Sequence, residues 1–189
     1  YEEIDPSTTD VMRRAVYIGA EDAGKIEHIY FDHVNMEGYR GSNSNFGKIS
    51  GGIIYHVYTD PQIEENRIPT WFEDLRVTNC NFTNLGREGI NFHTPWLTRN
   101  PEADGGKWGS EYFQYYGVGD WTPSRNVYIG HNTFRNMDGE GILIDTCQNV
   151  TVEYNLVDTF LKNSGFAAGI FPWNSDDVYI QYNEVCHGL

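Results

Sequence analysis

The stretch Gly139-Glu-Gly-Ile-Leu-Ile-Asp-Thr-Cys-Gln-Asn-Val-Thr-Val-Glu-Tyr-Asn155 carries two alternating apolar runs separated by a polar break. Alternation with period two marks strands rather than helices. The second run ends on an Asn at a fixed distance, and that phrase recurs. Val127-Tyr-Ile-Gly-His-Asn132 leads to Phe134, Val150-Thr-Val-Glu-Tyr-Asn155 leads to Val157, and Val178-Tyr-Ile-Gln-Tyr-Asn183 leads to Val185. Earlier copies read Leu75-Arg-Val-Thr-Asn-Cys80 and Ile29-Tyr-Phe-Asp-His-Val34. The register position therefore reads Val34, Cys80, Asn132, Asn155, Asn183.

A second strand opened by Gly accompanies each phrase: Gly52-Ile-Ile-Tyr-His56, Gly89-Ile-Asn-Phe-His93, Gly141-Ile-Leu-Ile-Asp145 and Gly169-Ile-Phe-Pro-Trp173, with Ala15–Gly19 as a partial first copy. Successive starts lie 37, 37, 52 and 28 residues apart, so the unit is constant while its loops vary. Each unit is too short to bury a core alone, and stacking the units makes a continuous one. A helical solenoid would need a period of 3.6, and a sandwich would not hold Asn and Gly in fixed registers. The expectation is all-β: a single-stranded parallel solenoid of about five coils over residues 1–189, with long loops near 59–70 and 94–124. Neither end carries a capping element, as in a fragment of a longer chain, since bare strand edges invite aggregation.

The pattern apolar-x-apolar-x-x-Asn-x-apolar followed by Gly-Ile-x-apolar resembles the right-handed parallel β-helix repeat of pectate-lyase-like and polygalacturonase-like proteins. The resemblance runs from about residue 13 to 189. Ala168-Gly-Ile-Phe-Pro-Trp-Asn174 with Ile180-Gln-Tyr-Asn-Glu-Val185 is similar to uncharacterised secreted bacterial members. It implies a carbohydrate-active protein, extracellular or periplasmic, within a superfamily that includes lyases, glycoside hydrolases, epimerases, esterases and adhesins. The Asn-x-Asp, Asp-Asp and Gly-His-Gly set of polygalacturonases is missing, because Asn174-Ser-Asp-Asp177 lies outside the matching strand. The Arg-bearing catalytic strand of pectate lyases is not recognisable either.

Composition narrows the partners. The net charge is −14 and no basic cluster occurs, so a phosphate backbone is repelled and nucleic acid is excluded as a partner. The same charge favours a neutral polysaccharide or oligosaccharide over a polyanion, unless calcium bridges the two. No apolar run is long enough for a membrane span. No basic stretch followed by an apolar run is legible as a secretion signal after Tyr1. Cys80, Cys147 and Cys186 form no Cys-x-x-Cys, so their spacing supports neither a zinc site nor a disulfide framework. The oligomeric state is not legible.

In the Gly-initiated strands, residues one and three past the Gly point inward and those two and four past it outward, toward solvent. The outward column reads Gly19, His56, His93, Asp145, Trp173. A column just before the Gly reads Arg14, Gly51, Glu88, Glu140, Ala168. Paired carboxylates are what glycoside hydrolysis requires, and proximity raises one of them toward neutral pH. Glu88, Glu140 and Asp145 are therefore candidate acid, base or nucleophile, with His93 as proton-transfer partner. The alternative is that the glutamates are solvated turn residues sharing a calcium ion, and that His93 and Asp145 merely hydrogen-bond. A metal at His56, His93 and Asp145 would use competent ligands, though no local His motif supports it. The loop 94–124 is loaded with Trp96, Trp108, Tyr112, Phe113, Tyr115, Tyr116 and Trp121, rings suited to stacking on sugars or to packing the loop on the wall. Candidate substrate contacts are His56, Trp96, Trp108, Tyr112, Trp121 and Trp173. A glycoside hydrolase is the first expectation. A calcium-dependent polysaccharide lyase, with His93 or a loop Tyr as base, and a non-catalytic glycan-binding or adhesive module are the alternatives.

Overall fold

A computed structural model describes residues 12–41, 50–58, 67–97, 99, 120–163 and 168–189. The alternating runs become fifteen strands among these residues. They are β1 (Arg14–Ala20), β2 (Lys25–Asp32), β3 (Asn35–Glu37), β4 (Gly51–Val57), β5 (Trp71–Thr78), β6 (Asn81–Thr83), β7 (Glu88–His93) and β8 (Ser124–Gly130). Then follow β9 (Thr133–Arg135), β10 (Glu140–Asp145), β11 (Cys147–Glu153), β12 (Leu156–Phe160), β13 (Ile170–Trp173), β14 (Asp176–Gln181) and β15 (Glu184–Gly188). Every third strand joins the same sheet. The first wall is β1-β4-β7-β10-β13, the second β2-β5-β8-β11-β14 and the third β3-β6-β9-β12-β15. All pairings are parallel. Each coil gives one strand to each wall. This is a parallel β-helix of five coils.

The core is a set of columns along the solenoid axis. On the first wall Ile53, Ile90 and Ile142 align, with Ile90 in the middle. On the second, Leu75, Val127 and Val150 align, as do Val77, Ile129 and Val152. Met36, Phe82, Phe134 and Val157 line the third. All of these are buried. Rings in register stack face to face: Tyr55 on Phe92 at 4.8 Å and Phe82 on Phe134 at 4.5 Å between centroids.

The Asn register is a buried amide ladder at the corner between the second and third walls. Asn132 Oδ1 accepts from the backbone N–H of Cys80 at 2.9 Å. Asn155 Oδ1 accepts from the N–H of Asn132 at 2.9 Å, and Asn183 Oδ1 from that of Asn155 at 2.9 Å. Each amide nitrogen donates to a main-chain carbonyl, Asn132 to Val77, Asn155 to Ile129 and Asn183 to Val152. The ladder thus satisfies corner backbone groups that no strand partner reaches. Cys80 continues it with sulfur, taking the N–H of Val34 at 3.5 Å.

Space explains the recurring Gly. A Cβ on Gly89 would sit 2.4 Å from the Gly141 carbonyl oxygen and 2.6 Å from the Phe134 ring. On Gly141 it would meet the Gly169 oxygen at 2.7 Å. The first wall approaches the third there too closely for any side chain.

Candidate active site

The pre-Gly column forms as expected. Gly51 pairs with Glu88, and Glu88 with Glu140. The outward column forms too: Gly19 pairs with His56, His56 with His93, and Asp145 with Trp173. The β7–β10 ladder runs from Glu140 and Glu88 to Leu143 and Asn91. Two residues further in the same register, Asp145 comes opposite His93.

One expectation is corrected. Of the positions two and four past the Gly at the middle of the first wall, Asn91 and Asp145 are buried and His93 and Leu143 half-buried, and the pre-Gly glutamates are buried as well. Glu88, Glu140 and Asp145 keep only 1 %, 3 % and 5 % of their surface exposed, and Asn91, between Glu88 and His93, keeps 1 %. Alternation specifies the side of the sheet on which a residue stands. Whether that side is wet depends on what else packs against it.

Burial sets the electrostatics. Loss of water raises Asp145 to about 8, because the hydroxyl of Thr146, donating to Oδ1 at 2.7 Å, is too little compensation. Glu88 and Glu140 are both raised, chiefly by burial, and the charges of Glu140 and Asp145 push Glu88 further. Arg87 opposes this, with Nε 3.6 Å from Glu88 Oε1 and 3.6 Å from Glu140 Oε2, ion-pair rather than hydrogen-bond separations. The positive charge between the two glutamates is thus supplied by the chain itself. Asn91 adds a short hydrogen bond from Nδ2 to Glu88 Oε2. Asn91 Oδ1, Glu140 Oε2 and Trp96 Nε1 are buried without a hydrogen-bond partner.

The imidazoles shift the opposite way. His93 is lowered to about 3 and His56 to about 4, by burial first, with Arg14 adding to both and His56 adding to His93. Both rings are therefore neutral over the physiological range. Their centroids are 4.8 Å apart, and Tyr17 shares a 2.8 Å hydrogen bond between its hydroxyl and His56 Nδ1.

The aromatic candidates divide. Trp96 is buried within the core cluster. Trp121 donates from Nε1 to the Asn174 carbonyl at 3.1 Å, and the Arg99 guanidinium lies 4.1 Å from its ring centroid. Arg99 also pairs with Asp176 at 2.9 Å. These two tryptophans thus fasten the start and end of the 94–124 loop to the wall. Trp173 stands half-buried opposite Asp145. Trp108 and Tyr112, with Phe113, Tyr115 and Tyr116, lie outside the described residues.

Among the described residues, His56, His93 and Asp145 do not converge closely enough to share a metal ion. Sequence reasoning missed Arg87 and Asn91. A search for basic residues inside the strand columns passed over Arg87, which stands one residue before β7. Asn91 carried a signal, as the polar residue in a column otherwise occupied by Ile54, Leu143 and Phe171.

Comparison with known proteins agrees with this architecture. A family model described as "Right handed beta helix region" matches residues 4–185. The lacto-N-biosidase of Bifidobacterium longum subsp. longum is 23 % identical over 209 residues, covering 99 % of this chain and 13 % of that protein. The crystal structure of a GH136 lacto-N-biosidase from Eubacterium ramulus superposes with a TM-score of 0.67 at 22 % identity, over 94 % of this chain and 29 % of that one. The chain therefore spans well under a third of the length of both relatives. With the fold and the match over nearly all its length in agreement, the chain belongs to the right-handed parallel β-helix family.

Proposed function

We propose that the first wall carries the reacting groups of a glycoside hydrolase acting on a neutral oligosaccharide outside the cytoplasm. The observation that carries this reading is three carboxyl groups on two adjacent strands, all withdrawn from water and all raised. Glycoside hydrolysis needs one carboxyl that keeps its proton at working pH and one that gives it up. Asp145, raised to about 8, keeps its proton and donates it to the departing glycosidic oxygen. Glu88 and Glu140 flank one guanidinium, which best balances a pair holding a single proton between them. The ionised member of that pair faces the positive charge developing at the sugar carbon, as nucleophile or as base toward water. Neutral His93 relays a proton, and Trp173 offers a ring beside Asp145 for the sugar to stack on. The lacto-N-biosidase relatives support an oligosaccharide as the substrate class.

A second reading follows from His93. An imidazole held neutral within the field of the half-buried Arg14 guanidinium is also the base and cation that β-elimination of a uronate requires. One assay separates the two: incubation with neutral oligosaccharides and with uronate polymers, following reducing ends and the absorbance of unsaturated uronates. Hydrolysis of a neutral glycan is expected. Unsaturated products from a uronate polymer would transfer the assignment to the lyase. No cleavage of any glycan, with binding intact, would make this wall a recognition surface.

A further inference from the structure

We propose that Asp158, Cys186 and His187 form a zinc-binding site joining the last two coils on the third wall. Asp158 stands on β12 directly opposite Cys186 on β15. Consecutive strand residues normally point to opposite faces. His187 has a φ of 55°, which breaks the alternation and brings its ring to the same carboxylate. The ligand atoms of the three lie within 4.8 Å of one another. Asp158 Oδ1 is 2.8 Å from His187 Nδ1 and 3.8 Å from Cys186 Sγ. Tetrahedral zinc with ordinary bond lengths spaces its ligands by roughly 3.3–3.5 Å, so only small side-chain adjustments are needed.

The chemistry of the set is selective. Thiolate, imidazole and carboxylate together suit zinc, whereas calcium and magnesium do not take thiolate. Local charge agrees. Asp158 and nearby Glu184 carry two negative charges against one positive charge from Arg135, whose Nε is 3.8 Å from Asp158 Oδ2. Cys186, its thiol held up by burial first, adds a third negative charge when a metal displaces its proton. A divalent cation balances the remainder. Arg135 lies beside Oδ2, while Oδ1 accepts from the Thr159 hydroxyl at 3.1 Å and keeps its other side toward His187, where zinc replaces the proton now bridging Oδ1 and Nδ1. Three protein ligands leave a fourth position for water.

The register isolates these residues. Arg135 and Thr83 occupy the Asp158 column on the two preceding strands, each followed by an Asn at positive φ, Asn136 and Asn84. Among the described residues, only β12 and β15 bring such a set of ligating groups together. Cys80 and Cys147 are buried, so neither competes for the metal nor offers Cys186 a disulfide partner.

Cobalt as a spectroscopic substitute for zinc tests this directly. The metal-free protein titrated with cobalt should develop a thiolate-to-cobalt charge-transfer band and tetrahedral visible bands that saturate at one equivalent. Zinc should then bleach them. Cys186→Ser should abolish the charge-transfer band, and His187→Gln should weaken zinc binding at least tenfold in competition with a chromophoric chelator. Because His187 is exposed, the Gln variant keeps the test sound should Cys186→Ser disturb the last coil. No thiolate band in the wild type, or a band that survives Cys186→Ser in folded protein, overturns the site.

Discussion

The first and second walls treat the same functional group in opposite ways. On the second wall Asp74 takes hydrogen bonds from Tyr30, from His28 at 2.8 Å and from Arg76 at 3.3 Å, and it drops to about 2. Asp32 does likewise under Asn79, Thr78 and His33. On the first wall Asp145 receives a single hydroxyl, loses its water and rises to about 8. Donor count and solvent thus set proton affinity, within one scaffold and at one strand spacing. Asp74 and Asp32 are held charged by their donors, whereas burial keeps the proton on Asp145 at neutral pH.

The largest expected effect tests this division by function. Asp145→Asn, Glu88→Gln and Glu140→Gln each preserve shape and remove proton chemistry. Turnover of a substrate that the wild type cleaves should fall by at least ~100-fold in the variant that loses the acid or base. Asp74→Asn should leave turnover unchanged. Full activity in all three first-wall variants would remove this wall from catalysis.

Next in size is the ladder at the corner between the second and third walls. Asn155→Ala deletes the acceptor for Asn132 and a donor to Ile129, leaving buried groups unpaired, at a cost of about 1–3 kcal/mol. Denaturant unfolding measures it. A cost near zero would mean that the strands alone define the corner.

The pH dependence of stability is a smaller and more pointed comparison. A carboxyl raised in the folded state contributes stability below its unfolded pKa and loses it as pH climbs toward about 8. His93 and His56, lowered to about 3 and 4, act in the other direction, and their contribution is complete above about 6.5. Between pH 6.5 and 8 only the first-wall acids among these groups still titrate, so the thermal midpoint should fall as pH rises. The decline attributable to Asp145 amounts to up to about 2 kcal/mol, and Asp145→Asn should flatten the curve by that amount. A midpoint that rises over this interval would reverse the assignment. The smallest effect belongs to the second wall, where Asp74→Asn should move the midpoint by no more than about 2 °C.

The coil plan was legible because period, Asn register and Gly spacing are local properties of the chain, and even the pairing of Glu88 with Glu140 follows from counting. The dryness of the first wall was not, because alternation is blind to what covers a sheet's outer face. Asp145 reads as an outward-facing acid, yet it is buried and raised, whereas Asp74 on the second wall is lowered by its donors. For Trp96 and Trp121 the sequence leaves sugar stacking and loop packing both open, since ring chemistry serves both uses, and the packing contacts are the ones seen. The Asp158, Cys186 and His187 cluster escaped notice because its residues come from different coils, and His187 takes the positive-φ position that Asn84 and Asn136 hold on earlier coils.

The claim that the first wall stores protons while the second does not is tested most directly by following side-chain carboxyl carbons by NMR as pH is varied. Asp145 should titrate near 8 and Asp74 near 2, in one sample and one experiment. If Asp145 instead titrates near 4, like a free aspartate, it is charged at neutral pH and the proposed acid of the site does not exist.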